Sequence, residues 1–451
     1  MITHQSDQHS RRDFLHGAAG AMAISVIAPT LTPDALDSIK TAFRKAKDRS
    51  PEEVSKDESL WAEVQKAFNY SPEVINLATV VRGVAPKVVS DAVIDTYTRV
   101  NEYRPGGNYF GLAERRETIR KRLAEHAGCA AEEIAVTRNT TDGVTTVIAG
   151  LKLNAGDEII TTTQEHNPYY GILYQRAARD SVKIRCVPLP TPAQTPAELA
   201  EAIEKAATPR TRLIFICHVY MSGQIFPVRR LCDFAHQRGI KVLVDGALAF
   251  GHIVVDVKAL DCDFYAASLH KWGAGPAATG FFYAKREHVA GLPPLYGYFD
   301  HKTRKPAFDS DRMDKFVSFG THPGAVFLSI GQMLDFHQAI GSDRIQARLH
   351  YLKRYWADQV KGEKRLKLLA SLDPQLSCSL LSFDLTEGNR GDVTQPLWQQ
   401  HKIMLGGAYV DGEFGKPDTW REITLCNTAL FTTLEQLDKF ATALKKALRE
   451  S

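Results

Sequence analysis

Between Ile134 and about Ala284 the chain alternates short apolar, β-branched runs with stretches in which apolar residues recur every three to four positions. The runs are Ile134 to Thr137, Glu158 to Thr162, Val182 to Val187, Arg212 to Cys217, Lys241 to Val244, Phe264 to Ala267 and Phe281 to Ala284. Near-continuous apolar runs separated by helical periodicity predict strands buried on both faces. The expected fold is therefore α/β, with a mostly parallel seven-stranded sheet flanked by helices. In such sheets ligands sit beyond the carboxyl ends of the strands. From about Leu352 the pattern changes to an apolar strand, Leu380 to Leu385, and an amphipathic helix, Thr433 to Leu448, which suits a smaller C-terminal α+β domain. Residues 33–75 are rich in Lys, Glu and Asp at helical spacing, Glu52 to Phe68 included, and predict a polar linker or outer helices. The expected division is a segment 1–32, a polar helical segment 33–75, a large domain 76–345 and a small domain 346–451.

The first of these segments has a pattern of its own. Ser10-Arg11-Arg12-Asp13-Phe14-Leu15 is followed by small and apolar residues from Gly17 to Ala28, too few to span a bilayer stably. This resembles a twin-arginine signal, which implies a periplasmic protein delivered by the twin-arginine export machinery; without such a signal the protein would be cytoplasmic. No other run approaches the length of a membrane span.

Composition narrows the classes of partner. Of 451 residues, 44% are apolar and 24% charged, the balance of a soluble globular chain. The 56 Lys and Arg against 52 Asp and Glu leave a net charge of +4, too small for the footprint of a nucleic-acid binder. Seven cysteines are scattered without a Cys-x-x-Cys pair, so neither a metal site nor a disulfide framework is expected. Folding in the cytoplasm before export would reconcile spare thiols with an oxidising destination.

Three stretches carry candidate chemistry. Ser268-Leu269-His270-Lys271-Trp272-Gly273 follows an apolar run and precedes a loop of small residues to Gly280, so the Lys271 amine can approach a ligand closely. Val242-Leu243-Val244-Asp245 sets a carboxylate at the end of an apolar strand, a costly position for a charge without a task. A lysine able to form a Schiff base, with a carboxylate able to hold a proton on a pyridine nitrogen, is the signature of pyridoxal phosphate. Asn139-Thr140-Thr141-Asp142-Gly143 opens a helix, where free N–H groups and hydroxyls bind phosphate. Each has a plainer reading as well: a solvated loop lysine, an Asp capping a helix, a Thr-Thr-Asp cap. His166, after the run Glu158 to Thr162, could stack on a flat ring or be an ordinary hydrogen-bonded histidine.

The order of phosphate loop, His166, His218, Asp245 and Ser268-x-His270-Lys271 resembles the class V aminotransferase family of fold-type I pyridoxal phosphate enzymes, over about residues 70–450. His270-Lys271-Trp272 with Thr279-Gly280-Phe281-Phe282-Tyr283 is most similar to the isopenicillin N epimerase branch, whose relatives include cysteine desulfurases and C–S lyases. The resemblance implies that Lys271 carries pyridoxal 5′-phosphate as a Schiff base, Asp245 pairs with its ring nitrogen, and His166 stacks on the ring. It implies that Thr140, Thr141, Ser268 and His270 hold the phosphate, and that Gly320-Thr321 is donated to the phosphate site of a partner subunit, hence a homodimer. Arg421 resembles the arginine that grips a substrate carboxylate, although its distance from Asn427-Thr428 is one residue short of the family pattern and a surface arginine starting a strand is its plainer reading.

Two departures stand out. Leu248 replaces the family's Gln or His near the cofactor's ring oxygen, leaving Gln224 or Tyr220 as candidate substitutes. The loop in which desulfurases place a catalytic cysteine reads Met404-Leu405-Gly406-Gly407-Ala408-Tyr409, without a thiol. The expectation is an exported enzyme acting at the α-carbon of an amino acid or amino-bearing peptide, by epimerisation or transamination, in the tailoring of a secreted metabolite such as a peptidic siderophore. The aromatic segment Leu295 to Phe299 is a candidate contact for such a substrate and equally a candidate for dimer packing. The competing readings are a C–S lyase or desulfurase-like enzyme lacking the catalytic cysteine, and a non-catalytic binding protein on the same fold, which would need neither Lys271 nor Asp245.

Overall fold

The computed structural model describes residues 34–101, 108–300, 303–412 and 416–450. The segment read as an export signal lies outside them. Seven strands form the main sheet: β2 (Ile134–Thr137), β3 (Glu158–Thr162), β4 (Lys183–Val187), β5 (Thr211–Cys217), β6 (Lys241–Asp245), β7 (Phe264–Ser268) and β8 (Gly280–Ala284). Their order is β2-β8-β7-β6-β5-β3-β4, with β8 antiparallel to both its neighbours and every other pairing parallel. Alternate residues of each strand feed two separate cores. On β5, Ile214 and Ile216 face one buried cluster while Leu213 and Phe215 face the other, which explains the unbroken apolar run.

The segment 33–75, read as a polar linker or outer helices, is helical and packs into the first of these cores. The segment forms three helices, α1 (Asp34–Lys45), α2 (Pro51–Ser55) and α3 (Glu58–Lys66). Their charged residues face water, but Ile39, Phe43, Val54, Trp61 and Val64 are buried in the main cluster. Trp61 packs edge-on against Phe43 at 5.4 Å and donates its indole N–H to the Val54 carbonyl at 2.8 Å. Fully burying one such side chain is worth about 1.5–3 kcal/mol, so this end of the chain is part of the folded body. Ser50 starts α2 with a reciprocal cap: its hydroxyl accepts from the Glu53 amide, and the Glu53 carboxylate accepts from the Ser50 amide.

Strand β1 (Ile75–Leu77) belongs to a second, five-stranded sheet of order β1-β13-β14-β12-β11, built with β11 (Leu366–Leu368), β12 (Leu380–Leu385), β13 (Ile403–Val410) and β14 (Arg421–Asn427). Its core is closed by the long helices Ser342–Gln359 and Leu434–Glu450, with Trp356 on Phe440 at 5.3 Å. The segment Met404 to Tyr409, read as a loop, is strand. Its first half pairs parallel with β1 and its second half antiparallel with β14, and this two-sided pairing overrides the weak strand propensity of Gly406-Gly407. A two-residue pair, β9 (Phe299–Asp300) with β10 (Lys305–Pro306), lies outside both sheets. All seven cysteines are free. Among the described residues no helix is long and apolar enough to cross a membrane, and no cluster of potential metal ligands occurs.

Candidate active site

A cavity of about 390 Å3 opens beyond the carboxyl ends of the central strands. Strand ends supply its floor: Cys217 closes β5, Asp245 closes β6 and Ser268 closes β7. Helices α5 (Thr140–Gly150) and α6 (Pro168–Asp180) bring their first turns to it. Across the opening stand Val80 and Val81 from the segment after β1, and Gly407, Ala408 and Tyr409 from β13.

Lys271 stands on a turn whose backbone is held from several sides. The Leu269 amide donates to the Thr279 carbonyl at 2.9 Å, the Ala274 amide to the Lys271 carbonyl at 3.1 Å, and the Trp272 indole to the Thr428 carbonyl at 3.1 Å. Gly83 donates its amide to the His270 carbonyl at 2.8 Å. The side chain is the free part: among the described residues the Lys271 amine has no hydrogen-bond partner. Burial pushes the amine below the usual lysine range, against the opposing pull of Asp245.

Asp245 is 3% exposed and accepts from the Ala247 amide at 2.7 Å through Oδ1. His166 lines the same cavity, its ring edge-on to Tyr169 at 5.3 Å. Burial and the nearby Lys271 charge push the imidazole below its ordinary range, which favours the neutral ring needed for stacking. Thr140 and Ser268 meet at the start of α5: the Thr140 amide donates to the Ser268 hydroxyl at 3.1 Å, and the two hydroxyls are 2.8 Å apart. Asn139 caps that helix by accepting from the Asp142 amide at 3.1 Å, leaving neighbouring amides for a ligand. The His270 Nδ1 is 3.0 Å from the Thr279 carbonyl, which can only accept, so Nδ1 carries the hydrogen and Nε2 is left for the cavity. Thr141 completes the polar wall.

Two predicted residues are not brought to this cavity. Arg421 begins β14 with both guanidinium prongs already used: one donates to Asp411 Oδ2 at 2.7 Å and the other to the Asp384 carboxylate. The free two-pronged grip expected of it is therefore absent from the structure. Thr321 lies exposed in the segment 318–322 and lines no part of this chain's own cavity. The suggested substitutes for the Leu248 contact are also placed elsewhere. Gln224 donates to the Pro190 carbonyl at 3.1 Å and accepts from the Ala193 amide, while the Tyr220 hydroxyl is buried without a partner among the described residues. Leu248 and Met221 face the cavity instead. His218 is buried against the Tyr265 hydroxyl at 3.0 Å, and burial pushes it down to about 4.

Sequence reasoning missed Glu165, in the turn after β3, and Cys217, whose place at the end of β5 could have been flagged, and missed Val80 and Val81, for which no local signal exists. Residues 84–409 match the family described as aminotransferase class-V. The chain belongs to that family. Curated relatives include enzymes of two kinds. Isopenicillin N epimerase of Amycolatopsis lactamdurans is 29% identical over 407 residues, 86% of this chain and 98% of that one. A probable cysteine desulfurase of Halalkalibacterium halodurans is 29% identical over 403 residues, 86% and 96% of the two chains. Among solved structures, C-DES with glycine covalently linked to its PLP cofactor superposes with a TM-score of 0.74 at 23% identity, covering 84% of this chain and 98% of that one. The Escherichia coli cysteine desulfurase CsdA gives 0.73 at 22% identity, with coverages of 86% and 98%. These similarities give the fold as fold-type I.

Pyridoxal 5′-phosphate is the cofactor that goes with class-V membership, and the donors present fit it. A half-buried amine, unpartnered among the described residues, and a buried carboxylate face one cavity, and a hydroxyl-lined helix start stands on its wall. Lys271 would hold the aldehyde, Asp245 the ring nitrogen, and Thr140, Thr141, Ser268 and His270 the phosphate.

Proposed function

We propose that this class-V enzyme works at the α-carbon of an amino acid or amino-bearing peptide, by epimerisation or transamination, as a homodimer. We further propose that it is exported by the twin-arginine route and tailors a secreted metabolite such as a peptidic siderophore. The observation that carries the catalytic part is Lys271: a half-buried amine without a partner among the described residues, sharing one cavity with Asp245. When bound, the cofactor supplies an electron sink for the bond broken at the α-carbon. Lys271, held below the ordinary lysine range, takes and returns the α-proton as the free amine. His166 and Asp245 orient the ring between them, and Thr140, Ser268 and His270 anchor its far end.

A small amino acid presenting its carboxylate to Arg421 would have to displace Asp411 or Asp384. This favours a substrate recognised otherwise, and the exposed apolar rim of Val81 and Tyr409 suits a larger, peptide-like one. The second reading, desulfurase-like chemistry, is supported by the cysteine desulfurases among the relatives but less by the wall. Among the described residues Cys217 is the thiol lining the cavity, and burial holds it well above the reactive range.

The test is a panel of amino acids and amino-bearing peptides offered in deuterated water, followed by mass spectrometry for α-deuterium and by assay for keto acids. Exchange without keto acid identifies epimerisation, and keto acid identifies transamination. Sulfide release from cysteine with neither would overturn the reading in favour of the desulfurase-like one. Replacing Arg11 and Arg12 by lysine should leave the protein in the cytoplasmic fraction; unchanged periplasmic recovery would refute the export proposal.

A further inference from the structure

Glu165 is buried at the cavity wall, 1% exposed, and nothing so far gives it a task. Its Oε1 accepts from the Thr162 hydroxyl at 2.8 Å, and its Oε2 is 2.9 Å from the Cys217 sulfur. The same sulfur is 3.8 Å from Asp245 Oδ2. Cys217 and Asp245 are register partners at the ends of adjacent strands, so the sheet backbone fixes their spacing. Two carboxyl groups thus compete for one thiol hydrogen.

Among the described residues no cation acts directly on Glu165; Lys271, in the same cavity, acts on Cys217 and Asp245 instead. The titratable groups that face Glu165 are Tyr170 from α6, Cys186 from β4, Cys217 and Asp245 from β5 and β6, and Tyr220 from the turn after β5. Every one of them is neutral or negative. Two adjacent buried carboxylates cannot both ionise cheaply, and the Ala247 amide donates to Asp245 Oδ1 on the side away from the thiol.

We propose that Cys217 is a positioning residue for Asp245, and that the protonation state of Glu165 decides where its single S–H points. With Glu165 as the neutral acid, its O–H is directed at the sulfur and the thiol hydrogen is released to Asp245 Oδ2. With Glu165 ionised, its proton goes to solvent, the S–H turns back to Oε2, and Asp245 loses a donor while gaining a negative neighbour. Burial foremost pushes the Glu165 acid up to about 8, with Asp245 adding to it, so the first arrangement holds at neutral pH. A thiol hydrogen on its second oxygen, opposite the Ala247 amide on the first, would hold the Asp245 carboxylate in place for the ring nitrogen of a bound pyridine. The inference rests on the pyridoxal phosphate reading only for that last consequence.

The direct measurement is the infrared S–H stretch of Cys217 in the full-length holoenzyme, identified by its loss in Cys217→Ala and followed from neutral to alkaline pH. The band is expected to shift with a midpoint of about 8 and to stay fixed in Glu165→Gln. In parallel, the 15N resonance of ring-labelled cofactor should step at the same midpoint in the wild type and lose that step in Glu165→Gln and in Cys217→Ala. An S–H band that ignores pH, or one that shifts equally in Glu165→Gln, overturns the switch. If Glu165→Gln does not fold, the wild-type band and Cys217→Ala still decide. A step in the thiol without one at the ring overturns the positioning role. A protein that shows the thiol step but takes up no cofactor would refute the enzyme reading and leave the switch standing.

Discussion

Two buried carboxyl groups of this chain titrate in opposite directions, and the difference lies in the donors around them. Glu165 is pushed up because burial outweighs a hydroxyl and a thiol. Asp263, just ahead of β7 at the opposite end from Lys271, is also buried, yet His288 at 2.6 Å, the Val242 amide at 2.7 Å and His236 at 3.0 Å outweigh that burial and push its carboxyl down to about 2. A carboxyl held below its unfolded value near pH 3.9 contributes stability that is complete above that pH and is lost as pH falls towards the folded value. Asp263→Asn should therefore cost about 2 kcal/mol at neutral pH. The gap from the wild type should narrow as pH falls from about 4 towards 2. Urea unfolding of both proteins across that range checks it. A constant gap would show that Asp263 acts through hydrogen bonding alone.

At the scale of elements, what was legible in the sequence follows from what each strand buries. The seven strands of the main sheet are covered on both faces, so each reads as an apolar run, and the functional side chains Asp245 and Ser268 stand where those runs end. Strand β13 was not legible because its pairing partners, β1 and β14, come from opposite ends of the chain and its centre is Gly406-Gly407. The burial of helices α1 to α3 was not legible because their charged faces dominate the composition while their narrow apolar stripes are core. The pairing of Arg421 was not legible because its two partners, 37 and 10 residues earlier, are brought to it only by the second sheet.

The segment after β1 gives a test of how tightly such distant elements meet. A Cβ on Gly83 would stand 2.1 Å from the Lys271 carbonyl oxygen, and backbone cannot yield as a flexible side chain would. Gly83→Ala should push residues 80–83 away from the lysine turn and weaken cofactor retention at least about tenfold, or about 1.4 kcal/mol. Gly171→Ala, where nothing lies within 4 Å, is the matched control and should retain the cofactor normally. Spectrophotometric titration of cofactor into the two apo-proteins distinguishes them. Equal affinities would mean that the segment after β1 does not brace the site.

At the scale of the whole molecule, the exposed apolar surface argues for the proposed homodimer. On helix α4 (Lys87–Asn101) Ile94 and Tyr97, three residues apart on one face, are 60% and 66% exposed, and Val81 at the cavity rim is 77% exposed. Large side chains are left open to water in this way chiefly where another surface covers them. Thr321, which the family resemblance directs to a partner's phosphate site, is exposed and serves no group of its own chain's cavity. If a second copy covers this face and completes the cradle, assembly and cofactor binding must be coupled in one direction. Ile94→Glu with Tyr97→Glu would bury two charges at the contact, so the protein should sediment as a monomer and hold cofactor at least about tenfold more weakly, since unpaired buried charge costs several kcal/mol. Thr321→Ala should leave sedimentation unchanged and weaken cofactor alone, by about 1 kcal/mol for a lost hydrogen bond. Full cofactor affinity in the monomeric double variant would show that each chain builds its site by itself, and would remove both Thr321 and the dimer from the proposed mechanism.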